Sequence, residues 1–285
     1  MFVNEEVEMT DTTQKPILIL GGTGKTGRRL AERLTAKSIP VRIGSRAGTP
    51  SFDWLDKGSW DAALEGVGAV YISYYPDIAV PGAAETVEAL ARLAVERGIK
   101  RLVLLSGRGE TEAQRAEEML KASGADWTIL RCSWFSQNFS EGFLVENIIE
   151  GEVGLPVGAV GEPFVDADDI ADVAETVLTE PGHVGQLYEL TGPRLLSFAE
   201  AVAEIGKAAG RDIRFRQISR AEFTEAVAAH NLPPQFAWLL DELFTKVLDG
   251  RNETLTDGVQ RALGRQPKDF FAYATETAAS GIWSN

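Results

Sequence analysis

Residues 21–27, GGTGKTG, constrain the fold of this chain more than any other stretch. They follow a short apolar run at 16–20 and lead straight into a helical pattern at 28–35. Gly21, Gly24 and Gly27 give G-x-x-G-x-x-G, and Gly22, Gly24 and Gly27 give G-x-G-x-x-G. A buried strand turning into a helix at such a cluster has no Cβ atoms to hold a pyrophosphate away from its backbone. The bare N–H groups and the positive helix end then attract the negative charge. The alternative is a glycine-rich strand–helix turn with no ligand. The legible strand before it and helix after it favour dinucleotide binding. Lys25 invites a P-loop reading, but the spacing G-x-x-x-x-G-K-[ST] is absent.

The rest of the chain alternates strand and helix. Strands are expected at 41–44, 52–54, 68–73, 100–105 and 125–130, after the first at 16–20, with one more at 186–190. Helices are expected at 59–66, where Ser59 would be the cap, and at 83–98, 111–123 and 168–178. This alternation predicts a Rossmann-type doubly wound parallel sheet. The domain expectation is a tail at 1–14, a dinucleotide-binding domain at 15–150 and a smaller α/β lobe at 151–285. Segments around 164–192 of that lobe would return to the sheet. Residues 151–161 suit a loop or a short hairpin. Further on, 197–210 is an amphipathic helix, 213–218 alternates like a strand, and helices are expected near 220–230 and 234–248.

In an open parallel sheet, ligands lie beyond the carboxyl ends of the strands. The end of the second strand carries no acid to accept from an adenosine 2′-hydroxyl. Ser45 and Arg46 stand there instead and suit a 2′-phosphate, so NADP is expected, with NAD possible. Asp53 is either an acceptor for the adenine amino group or a turn cap. Tyr74 and Tyr75 either flank the nicotinamide ribose and substrate or pack a loop. Ser106-Gly107 ends another strand. Trp134 and Phe135 leave the last, and suit an aromatic pocket. Cys132 is read as buried and structural, His183 and His230 as surface residues. Asp168 and Asp169 suit the first turn of a helix, and no metal site is expected.

Lys and Arg number 28 against 42 Asp and Glu, leaving a formal net charge of −14. That field weighs against nucleic acid and anionic membranes as partners. No apolar run reaches the roughly 18 residues of a membrane span. A single cysteine precludes an internal disulfide and fits a reducing cytoplasm. A monomer or homodimer with a small substrate is expected.

Five stretches together resemble the NmrA-like, atypical short-chain dehydrogenase/reductase family, in its quinone-reductase-like and ergot-alkaloid-reductase-like branch. They are LILGGTGKTGRRLAERL from Leu18, IGSR from Ile43, RLVLLSG from Arg101, EEMLKASGADWTILRCSWFSQNF from Glu117 and FVDADDIADVAETVL from Phe164. The resemblance implies a Rossmann domain whose smaller C-terminal lobe covers a substrate cleft. It implies pyrophosphate contacts from Gly21, Thr23, Gly24, Lys25 and Thr26, and Arg46 at the adenosine 2′ position. Ser73 and Tyr74 would lie beside the ribose, and Ser106-Gly107 near the nicotinamide. Residues 132–139 would form the wall between cofactor and substrate, with Tyr75, Trp134, Phe135 and Asn138 toward the substrate.

One departure bears on the chemistry. Short-chain reductases use Tyr-x-x-x-Lys as proton donor and pKa-lowering partner, and no tyrosine here precedes a lysine by four residues. Helix 111–123 and its approach offer Glu110, Glu112, Gln114 and Arg115 instead. Tyr74, Tyr75, Ser106 or a water on Asn138 are the substitute acids on paper. The expected activity is hydride transfer from a reduced nicotinamide to an apolar aromatic carbonyl, quinone or imine, in a setting such as natural-product tailoring. The competing expectation is a redox sensor that binds the dinucleotide without turnover and acts on a protein partner.

Overall fold

Six strands form one parallel sheet in the order β2-β1-β3-β4-β5-β7. These are β1 (Ile17–Leu20), β2 (Val41–Gly44), β3 (Ala69–Ile72), β4 (Arg101–Gly107), β5 (Asp126–Cys132) and β7 (Gln186–Leu190). The computed structural model describes residues 14–229 and 232–284. The expected tail at 1–14, apart from Gln14, and His230 lie outside the described residues.

Each central strand is covered on both faces, so its residues are apolar without a break. Period-two alternation sorts them between two cores. Leu18 and Leu20 of β1, with Val70 and Ile72 of β3, face one side. There they meet Leu64 of α2 (Trp60–Leu64), Val87 and Leu90 of α3 (Ala83–Glu96), and Ala116 and Leu120 of α4 (Thr111–Lys121). Ile17 and Ile19 face the other side. Their partners include Leu30 and Leu34 of α1 (Lys25–Ala36) and Ile170 and Val173 of α6 (Ala167–Thr179).

A third core gathers aromatics from the second half of the chain, with Phe139, Leu144 and Ile148 ahead of residue 151. Phe139 lies 5.5 Å, ring centroid to centroid, from both Phe164 and Phe270. Around it stand α5 (Val145–Glu150), α7 (Phe198–Ala209), α8 (Arg220–Ala229), α9 (Pro234–Glu242) and α11 (Phe270–Ala279). Two short strands, β6 (Glu152–Leu155) and β8 (Arg214–Gln217), pair in parallel at its edge. The small helix α10 (Gly258–Leu263) packs instead beside β7 and α6.

Four expectations need correction. Residues 52–54 form no strand: Phe52 and Trp54 turn their rings into the first core, 5.0 Å apart, and only an isolated bridge joins Asp53 to Asp56. Ser59 does not cap its helix, because its hydroxyl is tied to Asp53 and Asp56. Residues 151–161 form neither a loop alone nor a hairpin: they contain β6, which pairs in parallel with the distant β8. The predicted helix at 234–248 changes winding at Leu243, where a π-helical turn runs to Val247.

The glycine turn brings two backbone segments into close approach. Gly21 has φ +70°, a left-handed conformation that favours glycine. A Cβ on Gly27 would fall onto the Gly21 carbonyl oxygen. We therefore expect Gly27→Ala to lower stability by about 1–3 kcal/mol, the usual cost of overpacking. The midpoint of urea unfolding measures it.

Candidate active site

A cleft of about 780 Å³ runs along the carboxyl ends of β1, β3, β4 and β5. Helix α1 starts at its floor. Gly24 is the N-cap, no side chain caps the helix end, and no acid occupies its first turn. A helix start leaves its first N–H groups without intrahelical acceptors. Here those of Lys25, Thr26 and Gly27 are the ones available to an anion. A Cβ on Gly24 would meet only the Gly21 carbonyl oxygen, at 3.2 Å, so the space above the turn is open to a ligand. The bare backbone, the open helix end and the cleft volume fit a dinucleotide pyrophosphate.

The basic side chains around this floor are held in place. Lys25 lines the cleft. Burial lowers its pKa, while Glu141 and Asp77 work in the other direction. Arg28 and Arg29 each reach a Glu141 oxygen at 2.6 Å. Burial opposes ionisation of Glu141, but these two guanidinium groups outweigh it and hold its carboxyl below the ordinary range. Thr26 is buried and accepts a hydrogen bond from the Tyr71 hydroxyl at 3.0 Å.

Most of the predicted site residues come together. Gly21, Thr23, Gly24, Lys25 and Thr26 line the first part of the cleft, and Ser73, Tyr74 and Tyr75 follow at the end of β3. Ser106, Gly107, Trp134, Phe135 and Asn138 line the remainder. The Tyr74 ring leans on Trp54 at 4.7 Å, and the Tyr75 ring meets Phe236 at 5.9 Å. Trp134 joins cleft to lobe, with its ring 4.9 Å from that of Phe244. Ser45, Arg46 and Asp53 are not part of the cleft lining. Arg46 stands at the rim, its guanidinium carbon 5.8 Å from the centre of the Tyr75 ring.

Hydrogen bonding corrects one predicted role, that of Ser106 as proton donor, and bears on that of Asp53. The Ser106 hydroxyl donates to Glu117 Oε1 at 2.6 Å, so its one proton is committed away from the cleft. Asp53 accepts from the Leu55 N–H at 3.0 Å through one carboxylate oxygen, the bond of the turn-cap alternative. Asp168 and Asp169 are bound up in ion pairs. Asp168 meets Arg33 at 2.9 Å and Asp169 meets Arg265 at 2.6 Å. Among the described residues no cluster of His, Cys, Asp and Glu could hold a metal ion.

Sequence reasoning placed in the cleft none of its four acids, Asp77, Glu110, Glu141 and Glu162. Two of them stand out, Glu110 and Glu162. Each has an Oε2 atom shut off from solvent with no hydrogen-bond partner. Burial pushes Glu162 up to about 7, against a bond from the Trp134 N–H and the charge of Arg108. The only signal in the sequence was the position of Glu110 three residues beyond Gly107 at a strand end. Cys132 also lines the cleft, and burial raises its thiol well above the ordinary value, which leaves it a poor nucleophile.

An all-parallel doubly wound sheet with an open glycine turn at its switch point defines a dinucleotide-binding protein. The chain matches the NAD(P)H-binding family over residues 21–181. It is 32% identical to festuclavine synthase I of Penicillium roqueforti, over 90% of this chain and 96% of that protein. It is 29% identical to NAD(P)H azoreductase of Xenophilus azovorans, over 93% and 98% respectively. Among solved structures it resembles the NADPH complex of the NADPH-dependent quinone oxidoreductase QOR2 from Escherichia coli. There the TM-score is 0.75 at 24% identity, covering 91% of this chain and 99% of that one. The chain belongs to the NAD(P)H-binding family, and it is an NAD(P)H-dependent oxidoreductase. No helix among the described residues is long and apolar enough to cross a membrane.

Two measurements follow from this geometry. If Arg46 holds a 2′-phosphate, Arg46→Ala weakens NADPH binding by roughly 10- to 100-fold, the worth of a charged hydrogen bond, and leaves NADH binding nearly unchanged. Calorimetric titration with both nucleotides reads this directly. The second concerns Glu162, whose ordinary value is 4.5 and whose folded value is about 7. Folding takes up a proton between those values, so its contribution to stability is lost as pH rises through that window. Glu162→Gln is therefore expected to gain in melting temperature relative to the parent as pH rises from about 4.5 to about 7.

Proposed function

We propose that this oxidoreductase uses NADPH to reduce a flat, apolar, aromatic carbonyl, quinone or imine, in a setting such as natural-product tailoring. The observation that carries this reading is the continuity of the cleft. Beyond Ser106 and Gly107 it passes without interruption to a wall of Trp134, Phe236, Leu243, Val247 and Leu248. Such a wall suits an apolar ring and offers little to a sugar or a charged metabolite. The names of the azoreductase and quinone oxidoreductase relatives are consistent with aromatic substrates.

Residues 21–26 would hold the pyrophosphate, and Arg46 the 2′-phosphate. The adenosine half belongs on the β2 side of the glycine turn, and the nicotinamide half over β3, β4 and β5. When bound, NADPH supplies a hydride. The protein supplies orientation, by seating a flat substrate against the aromatic wall, and a water-poor environment.

Steady-state oxidation of NADPH with a panel of quinones, aromatic ketones and imines tests the proposal. Turnover of at least one apolar aromatic class is expected, with Trp134→Ala raising KM for it. Tight binding of both NADPH and NADP with no turnover of any member would point to the sensor instead.

A further inference from the structure

We propose that Glu110 is the proton donor of this site, delivering a proton to the substrate heteroatom while a hydride reaches the neighbouring carbon. The inference rests on the oxidoreductase reading above and names the acid that the missing Tyr-x-x-x-Lys leaves unassigned.

Glu110 directly precedes α4, and its carboxyl folds back over the end of β4. A Cβ on Gly107 would fall onto that carboxyl, so a larger residue at Gly107 would displace it. The carboxyl thus lies on the nicotinamide side of the switch point, in the wall of the main cleft. Its Oε2 atom is buried with no hydrogen-bond partner, as is that of Glu162, but the other Glu162 oxygen accepts from the Trp134 N–H at 3.2 Å. Asp77 accepts from the Ala79 N–H at 2.8 Å. Glu117 is bound by Ser106 and by both arms of Arg131. Of the acids offered on paper, Ser106 has no proton to spare, and Tyr74 and Tyr75 pack their rings on Trp54 and Phe236.

The surroundings keep the proton on Glu110. Burial raises its pKa well above the ordinary 4.5, and the charges of Asp77, Glu162 and Glu117 add to the effect. These three come from the loop after β3, the approach to α6, and α4. Cys132 on β5 is coupled to the same carboxyl. From the lobe, the nearby cation is Arg251, which donates to the Gly109 carbonyl at 3.0 Å, not to Glu110.

Glu110 also lines a second, smaller cavity of about 210 Å³, together with Glu112, Glu242, Lys246 and Arg251. That volume has room for several water molecules between polar walls. Residue Glu110 therefore borders both the main cleft and a cavity lined by exposed titratable groups. In the balanced step, the substrate C=O carbon gains the hydride and its oxygen gains the Glu110 proton. The products are an alcohol (from a quinone, a hydroxydienone that tautomerises to the hydroquinone), oxidised nicotinamide and a Glu110 carboxylate, which regains its proton from solvent through the smaller cavity.

Glu110→Gln keeps the shape and removes the transferable proton. With a ketone or quinone that the parent reduces, kcat is expected to fall about 100-fold or more. NADPH affinity should hold. The parent's loss of rate as pH rises through the Glu110 pKa should vanish in the variant, and Glu110→Asp should restore part of the rate. Independently of turnover, the infrared difference spectrum between parent and Glu110→Gln at pH 7 should show the carbonyl stretch of a protonated carboxyl. Equal rates in parent and variant would overturn the donor role and leave the oxidoreductase reading standing. A carboxylate signal for Glu110 at pH 7 would overturn it as well. If the parent reduces no substrate of the panel, the donor role falls together with the proposed function.

Discussion

The contact of helix α1 with the end of strand β1 sets the geometry of everything else in the cleft. Gly27 lies so close to the Gly21 carbonyl that no side chain fits between them. This closeness aims the first turn of α1 at the crevice between β1 and β3, where the strand order reverses. The same helix is then clamped from its far side. Arg29 and Arg33 both pair with Asp168, and Arg33 with Asp172, so α1 is tied to α6. Arg265 adds pairs to Asp169 and Asp172, and Lys268 reaches Asp166. Individually such partly exposed pairs contribute little, about 0–1 kcal/mol each. Their value here is geometric: several charges fix one helix against another and so fix the N-terminus that faces the cleft.

A second polar assembly supports the opposite half of the cleft. Glu117 is fully buried in α4, a position that costs several kcal/mol for an unpaired carboxylate. Arg131 of β5 engages both of its oxygens, and the other end of the guanidinium bonds Glu189 of β7 at 2.7 Å. Ser106 completes the set. Three neighbouring strands and a helix are thereby locked in register directly beneath Gly107. The helix position where a typical short-chain reductase keeps catalytic groups is used here for structure, and catalytic duty is free to move to the loop just before it.

Much of the architecture could be read from the chain, because a strand buried on both faces must be apolar throughout and a helix covering it must not be. Where that rule fails, the reading failed. Residues 52–54 are apolar and short like a strand, yet Phe52 and Trp54 serve a ring cluster with Trp60 and make no ladder. Strand β6 is four residues long and sits in a glycine-bearing segment, too short for its alternation to stand out. The π-helical turn at Leu243 leaves no mark in the residue pattern. In the cleft, the glycine turn and the strand-end residues were legible because position at a strand's carboxyl end is a property of chain order. The competing claims on Ser106 and Glu110 were not, since they depend on partners 11 and 3 residues away and on side-chain directions that only folding decides.

Glu110 and Ser106 together show how such a site can exchange one acid for another. A hydroxyl at a strand end is a poor donor once a buried carboxylate claims its proton, and Glu117 makes that claim. Removing Ser106 from the chemistry leaves a cleft lined by carboxyl groups that cannot all be charged at once in a poorly solvated space. Burial and mutual repulsion then favour the protonated form of whichever acid lacks a cation, and Glu110 is that acid, since Lys25 is balanced by Glu141 and Asp77, and Arg131 by Glu117 and Glu189. The network that stiffens the floor of the cleft is thus also what reserves the neighbouring carboxyl for proton transfer.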